Sequence, residues 1–272
     1  MANEFRAISH PELIFGIAGA IGIDIDAINR TLSDALKAVG YKSILIRITD
    51  EIANEVTDVL KPVSADFGSE ISYKMTHASA VCRKYGAADT LMRFAINGIR
   101  RHRREVAKDD PHEPPEEQVQ AGTAYIIRQL KRPEEVHLLR KVYGKQFVLI
   151  SAYGSSEDRK RAIEKALRRS LPFDQPDHEI NGLAEKLIHR DQNEDVDNHG
   201  QHLRDTFHLA DVFIDGNSAS SMKSMISRFI DAFFGRADIA PTRWEYGMYA
   251  AKSASLRSSD LSRQVGAAIF TS

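Results

Sequence analysis

Cysteine is nearly absent from the sequence: Cys82 stands alone among 272 residues. One thiol excludes an internal disulfide framework and any multi-cysteine zinc site within these residues, and it suits a reducing compartment. Net charge is lacking too. Against 37 Lys and Arg stand 38 Asp and Glu, leaving −1, so no global field draws the chain to nucleic acid or to a membrane, and any such contact has to be local. No apolar run reaches the ~18 residues of a membrane span, and the opening MANEFRAISHPEL has neither the basic start nor the apolar core of a leader. Repeats and low-complexity tracts are missing as well. These absences give the expectation of a cytoplasmic protein without a membrane partner. What is present, 42% apolar and 28% charged residues, suits one large α/β domain or two smaller ones.

The most organised stretch is ELIFGIAGAIGIDID, residues 12–26. An apolar run at residues 13–15 leads into Gly16, Gly19 and Gly22, and Asp24 and Asp26 then open a segment of helical period. That is the layout of a strand, a phosphate-sized loop and a helix. The Lys-Ser/Thr pair that completes a Walker A loop is missing, because Ile23 and Asp24 follow Gly22. Two readings stay open. Either the glycines let bare N–H groups close on an anion, with Gly16, Gly19, Gly22 and Asp24 at a nucleotide, or they only permit a tight turn and close packing. Asp24 and Asp26 favour a helix N-terminus but repel phosphate, which argues against ordinary ATP turnover. On the first reading, Gly19→Val is expected to abolish nucleotide binding while the fold persists.

Beyond the loop, Ile25, Ile28, Leu32, Leu36 and Val39 draw one apolar helical face that stops at Gly40. SILIRIT, residues 43–49, reads as a second strand, so a βαβ unit with parallel strands is expected. A helical pattern over residues 76–106 breaks near Tyr85 and Gly86 and ends in Arg100, Arg101, His102, Arg103 and Arg104. This basic run is either a nucleotide or RNA contact or a solvated helix end, and charge runs favour the second. Residues 109–118, DDPHEPPEEQ, read as an exposed loop. Further strands are expected at residues 124–127, 147–152 and 211–215. Between them, Pro133, Glu134 and Glu135 open a helix that Gly144 closes, and Ser155 or Ser156 caps another. Residues 171–177 form a linker, and residues 222–234 a helix closing at Gly235. Five short apolar strands interspersed with helices give an α/β fold with a doubly wound, mainly parallel sheet. Residues 265–270 look like one more strand.

KRPEEVHLLRKVYGKQFVLISA, followed by Arg159 and Arg161, resembles the second half of nucleoside monophosphate kinases and related P-loop kinases. The resemblance implies that Arg128, Arg132, Arg159 and Arg161 clamp phosphate, as guanidinium groups do bidentately. The plainer alternative pairs Arg132 and Arg140 with Glu134 and Glu135. The tail YAAKSASLRSSDLSRQVGAAIF resembles the opening helix and first strand of the deoxycytidylate deaminase fold. Together with RDQNED, Gly200-Gln201 and TFHLADVFID, it makes the chain similar to the two-domain anti-phage deoxycytidylate deaminases. That resemblance implies a kinase-like domain at residues 1–235 and the start of a deaminase domain at residues 236–272. It also implies ATP or a deoxynucleoside triphosphate as ligand, a homo-oligomer, a regulatory RNA partner, and Arg257 and Arg263 near the nucleotide or a subunit interface. In that family zinc, held by an H-x-E and a P-C-x-x-C motif, hydrolyses the amine of deoxycytidine nucleotides. The two motifs do not occur together in these residues, which hold no P-C-x-x-C, and His112-Glu113 and His178-Glu179 read as polar loop residues. The expectation is therefore a nucleotide-binding, regulatory unit with no catalytic or metal residue and no deaminase activity of its own. The alternatives are an active nucleotide kinase and an oligomerisation or RNA-binding module.

Overall fold

The computed structural model describes residues 10–64, 66–107, 114–192, 202–260 and 263–271. Strand β1 (Leu13–Gly19) is buried at every position, which is why LIFGIAG shows no polar alternation: helices cover both faces of a central parallel strand. It lies in the middle of a five-stranded sheet of order β2-β3-β1-β4-β5. Strands β3 (Thr123–Arg128) and β4 (Phe147–Tyr153) flank it, and β2 (Lys42–Arg47) and β5 (Val212–Asp215) form the edges. All four pairings are parallel, with Phe15 opposite Ile126 on one side and Val148 on the other. Parallel neighbours demand crossover connections, and the result is the doubly wound, parallel α/β fold expected from the strand pattern.

Helix α1 (Ile25–Ala38) follows the loop. Asp24 caps it, accepting from the Ala27 N–H at 2.8 Å, and Ile25, Ile28, Leu32 and Leu36 form its buried face. The βαβ expectation needs one adjustment. Strand β2 pairs with β3 and not with β1, so β3 is inserted between the two strands that α1 connects. Strand β2 also ends at Arg47, and the next residues turn into the short helix α2 (Ile48–Glu51). Helices α3 (Phe67–Tyr85) and α4 (Thr90–Val106) are separated by Gly86, whose φ of 68° closes α3 in the left-handed region. Then come α5 (Pro133–Tyr143), α6 (Ser156–Ser170), α7 (Asp177–Gln192), α8 (Leu203–Phe207), α9 (Ala219–Phe233) and α10 (Arg243–Ser255). Ser155 caps α6 by accepting from the Asp158 N–H at 3.0 Å. Residues 178 and 179 fall in the first turn of α7 rather than in a loop, whereas 112 and 113 lie outside the described residues, as do 200 and 201.

One core joins Ile14, Tyr125, Ile127 and Leu149 of the sheet to Val81, Met92, Ile99 and Leu139 of the helices over it. A second holds Met75, Ile163, Leu167, Ile180 and Leu187 between α3, α6 and α7. At about 1.5–3 kcal/mol for each large side chain removed from water, these faces outweigh any local preference.

The basic end of α4 serves this packing. Arg101 meets Glu51 at 2.7 Å, Arg103 pairs with Glu12 at the start of β1, and His102 Nδ1 lies 2.9 Å from the Tyr125 hydroxyl. Glu12 also accepts from the Gln120 N–H at 3.0 Å. The run thus ties α4 to the sheet through the chain's own carboxylates.

The chain divides into two compact units, Met1–Ser227 and Arg228–Ser272, a boundary eight residues earlier than the break expected after Gly235. In the second unit Thr242 and Glu245 form a reciprocal capping box at the start of α10, and Arg228 holds Glu245 at 2.8 Å. The strand expected over residues 265–270 is not formed: those residues have no ladder among the described residues, and Ile269 is 96% exposed. A strand exists through a neighbour's hydrogen bonds. This segment lies instead along α10, with the Phe270 ring against Gly247 and the Arg243 guanidinium 5.2 Å from the ring centre.

Candidate functional site at the loop after the first strand

In an open parallel sheet, ligands bind outside the carboxyl ends of the strands, and there β1 gives way to the glycine loop. The three glycines do different things. Gly16 lies inside β1, not in the loop, and an added Cβ would sit 2.9 Å from the Phe147 ring. Gly19 ends the strand, where an added Cβ would sit 2.6 Å from Ile25 Cδ1. Only Gly22 is a loop glycine in conformation, with φ of 91°, and its Cα lies so close to α6 that a Cβ would stand 2.6 Å from the Arg159 carbonyl oxygen. Gly22 meets backbone, whereas Gly16 and Gly19 meet side chains. Gly19→Val therefore crowds the tip of Ile25.

Two of the loop's N–H groups, those of Ile21 and Ile23, and the first N–H of α1 are engaged. Ile23 donates to the Ala20 carbonyl at 3.2 Å and Ile25 to the Ile23 carbonyl at 3.0 Å. Ile21 donates to Asp191 Oδ2 at 2.7 Å. The other oxygen of Asp191 is 2.7 Å from Lys131 Nζ, which also donates to the Gly19 carbonyl at 2.6 Å. An internal carboxylate thus takes a loop amide, and an internal ammonium stands beside it. Neither residue figured among the sequence-level candidates. Lys131 follows β3, and Gln129, with φ of 70°, turns the chain so that the Leu130 N–H donates to the Ile17 carbonyl at 2.9 Å and Lys131 meets the end of β1. The signal was a lysine just past a strand end, but its partner lies 60 residues away on α7.

The four arginines separate. Arg128, at the end of β3, meets Asp26 at 2.5 Å in the first turn of α1. Arg132 is fully buried, 3.1 Å from Glu135 and 3.3 Å from the Ser79 hydroxyl, so one pairing of the plainer reading forms, in the core and not on the helix surface, while Arg140 meets Asp211 at 2.9 Å instead. Glu135 also accepts from the Lys131 N–H at 2.7 Å, so this pair fixes the entry to α5. Arg161 points away, 71% exposed and paired with Asp158 on its own helix. Arg159 is buried on the face of α6 that meets Gly22.

Two clefts open around the loop. One, of about 580 Å³, is lined by Gly22, Asp24, Ser155, Asp158, Asp215 and Asn217. Asp215 accepts from the Asn217 N–H at 2.9 Å, and the Asn217 amide reaches Asp158 at 3.1 Å. Hydrogen bonds from Ser155, then Arg161, hold the Asp158 carboxyl below the usual carboxylate range. The other cleft, of about 300 Å³, is lined by Ala20, Ile23, Arg159, Arg204, Phe207 and His208. Tyr153 and Gly154 border both.

Cys82 is buried and burial pushes its thiol up to about 11. Among the described residues no three His, Cys, Asp or Glu side chains are grouped to hold a metal ion.

Fold and site together define an α/β protein with a doubly wound parallel sheet, in which an internal ion pair engages the glycine loop after the first strand. No family model matches the chain, and no curated protein does. Among solved structures it is similar to a protein designated APE1195, at 12% identity and a TM-score of 0.44 over 84% of this chain and 99% of that one. It is also similar to a gluconokinase from Sinorhizobium meliloti 1021, at 10% identity, a TM-score of 0.35, and 84% and 98% coverage. A shikimate kinase from Acinetobacter baumannii in complex with shikimate gives 11% identity, 0.39, and 85% and 97% coverage. These scores carry no residue correspondence; the sheet order and the loop stand on their own. No helix among the described residues is long and apolar enough to cross a membrane.

Proposed function

We propose that the chain is the nucleotide-binding, regulatory P-loop kinase-like part of a two-domain deoxycytidylate deaminase of the anti-phage type, taking ATP or a deoxynucleoside triphosphate without transferring phosphate. The observation that carries the binding-without-transfer reading is the commitment of Lys131 to Asp191 and to the Gly19 carbonyl. Phosphoryl transfer is catalysed by positioning and by cations that neutralise charge on the transferred group. Here the cation beside the loop is already neutralised, and the Ile21 N–H is already bound to a carboxylate. The clefts at the carboxyl ends of β1, β4 and β5 support ligand binding beside the loop instead.

The deaminase part of the reading is supported by the tail sequence, residues 249–270, and by nothing in the site's geometry. Homo-oligomerisation belongs to the same reading. An RNA partner draws no support from Arg101 and Arg103, which the fold engages. Calorimetric titration of the purified chain with ATP, dCTP and dTTP tests the proposal. Saturable binding of at least one is expected, and absence of binding to all three contradicts it.

A further inference from the structure

Arg159 is 6% exposed, yet its buried Nε has no hydrogen-bond partner among the described residues. A buried guanidinium nitrogen that no described residue matches is costly for a fold to carry, so its surroundings matter. Arg159 borders the smaller cleft together with Arg204 and His208, whose exposed side chains stand at either end of α8, and with the Phe207 ring between them. Three basic side chains line one cavity in a chain of almost no net charge. Across Gly154 the larger cleft has the opposite character, with Asp24, Asp158 and Asp215 on its walls.

We infer that the cleft between α6 and α8 is an oxyanion subsite in which Arg159, with Arg204 and His208, takes a phosphate group. The guanidinium offers a planar fork to two oxygens, and Arg204 and His208 add charge at the rim. The acidic cleft disfavours phosphate and offers acceptors to the hydroxyl and amino groups of a sugar and base. A nucleotide therefore lies across Gly154 with its phosphate end at Arg159 and its neutral end at Asp215 and Asn217. The orientation rests on the nucleotide-binding reading; the anion subsite does not. It also places the phosphate beside the loop, whose Ile21 N–H belongs to Asp191.

The test uses the full chain, with inorganic pyrophosphate and dCTP as separate probes in thermal unfolding and calorimetry. Pyrophosphate is expected to raise the unfolding midpoint of the wild type. Arg159→Met, which removes a buried nitrogen that no described residue matches, is expected to unfold at the same or a higher temperature without ligand. It should lose the pyrophosphate shift and bind pyrophosphate and dCTP about tenfold or more weakly. Arg204→Gln should weaken both about threefold with the fold intact. A lowered midpoint with unchanged pyrophosphate affinity in Arg159→Met makes Arg159 structural and overturns the inference. Should that variant fail to fold, unchanged pyrophosphate affinity in Arg204→Gln overturns it. Arg159-dependent pyrophosphate binding without any nucleotide binding keeps the subsite and removes the nucleotide reading. Nucleotide binding indifferent to Arg159→Met does the reverse.

Discussion

Lys131 Nζ lies 2.7 Å from Asp191 Oδ1, and both groups are buried at the end of the first strand. The two residues come from the turn after β3 and from the last turn of α7, and they meet where a nucleotide-hydrolysing loop would hold phosphate. The carboxylate supplies the negative charge and the ammonium its counter-charge.

Breaking this pair on one side leaves a buried charge alone. Lys131→Met is expected to destabilise the chain by about 3–5 kcal/mol, and the double variant Lys131→Met with Asp191→Leu by distinctly less, because the stranded carboxylate is then gone. Urea unfolding of the two variants reads the difference. A double variant that loses as much as Lys131→Met, or more, would mean that the single substitution strands no buried carboxylate.

Gly22 and Gly86 both have positive φ, 91° and 68°, but an added Cβ meets Arg159 backbone at the first and nothing within 4 Å at the second. Gly86→Ala is expected to lose about 1 kcal/mol from the backbone conformation alone. Gly22→Ala is expected to lose clearly more, since the loop has to move off α6. Matched losses in thermal unfolding would remove the close approach from the account.

Of the arginines first assigned to phosphate, two are separable by stability alone. Arg132→Met strands Glu135 in the core and is expected to lose about 3–5 kcal/mol, whereas Arg161→Ala touches an exposed pair and should stay within about 0.5 kcal/mol of the wild type. Chemical denaturation of each decides. A mild Arg132→Met would place its guanidinium outside the core.

Cys82 gives a readout of global integrity. Its thiol is pushed up to about 11 by burial; reaction needs the thiolate, and at pH 8 only about one thiol in a thousand is ionised. A thiol-specific disulfide reagent is expected to label the native chain negligibly at pH 8, more as pH approaches 11, and fully once urea unfolds it. Fast labelling of the folded chain at pH 8 would show an opening that the packing of α3 does not include.

Much of the fold was legible because its signals are local. Asp24 and Gly40 bracket α1, Gly86 divides α3 from α4, and Pro133 and Gly144 bracket α5; each rests on cap chemistry within a few residues. The insertion of β3 between β1 and β2 was not legible, since strand order is set by packing between distant segments. The same limit hid the candidate site. Gly16, Gly19 and Gly22 looked alike in sequence, but which glycine faces a ring, a side chain or a backbone depends on Phe147, Ile25 and Arg159, more than a hundred residues away in two cases. Arg132 and Arg159 likewise follow short apolar strands, yet Glu135 satisfies one, and the Nε of the other is left unmatched among the described residues. Residues 265–270 had strand composition and no neighbour to pair with.

The central claim is that this loop is sealed from within and that the chain binds nucleotide without reacting it. The most direct measurement is release or transfer of the γ-phosphate from labelled ATP at saturating nucleotide, with deoxynucleoside monophosphates as acceptors. Bound nucleotide recovered intact, with no transfer above the uncatalysed rate, is the predicted result. Phosphoryl transfer to a deoxynucleotide, or steady release of phosphate that Lys131→Met abolishes, would contradict it.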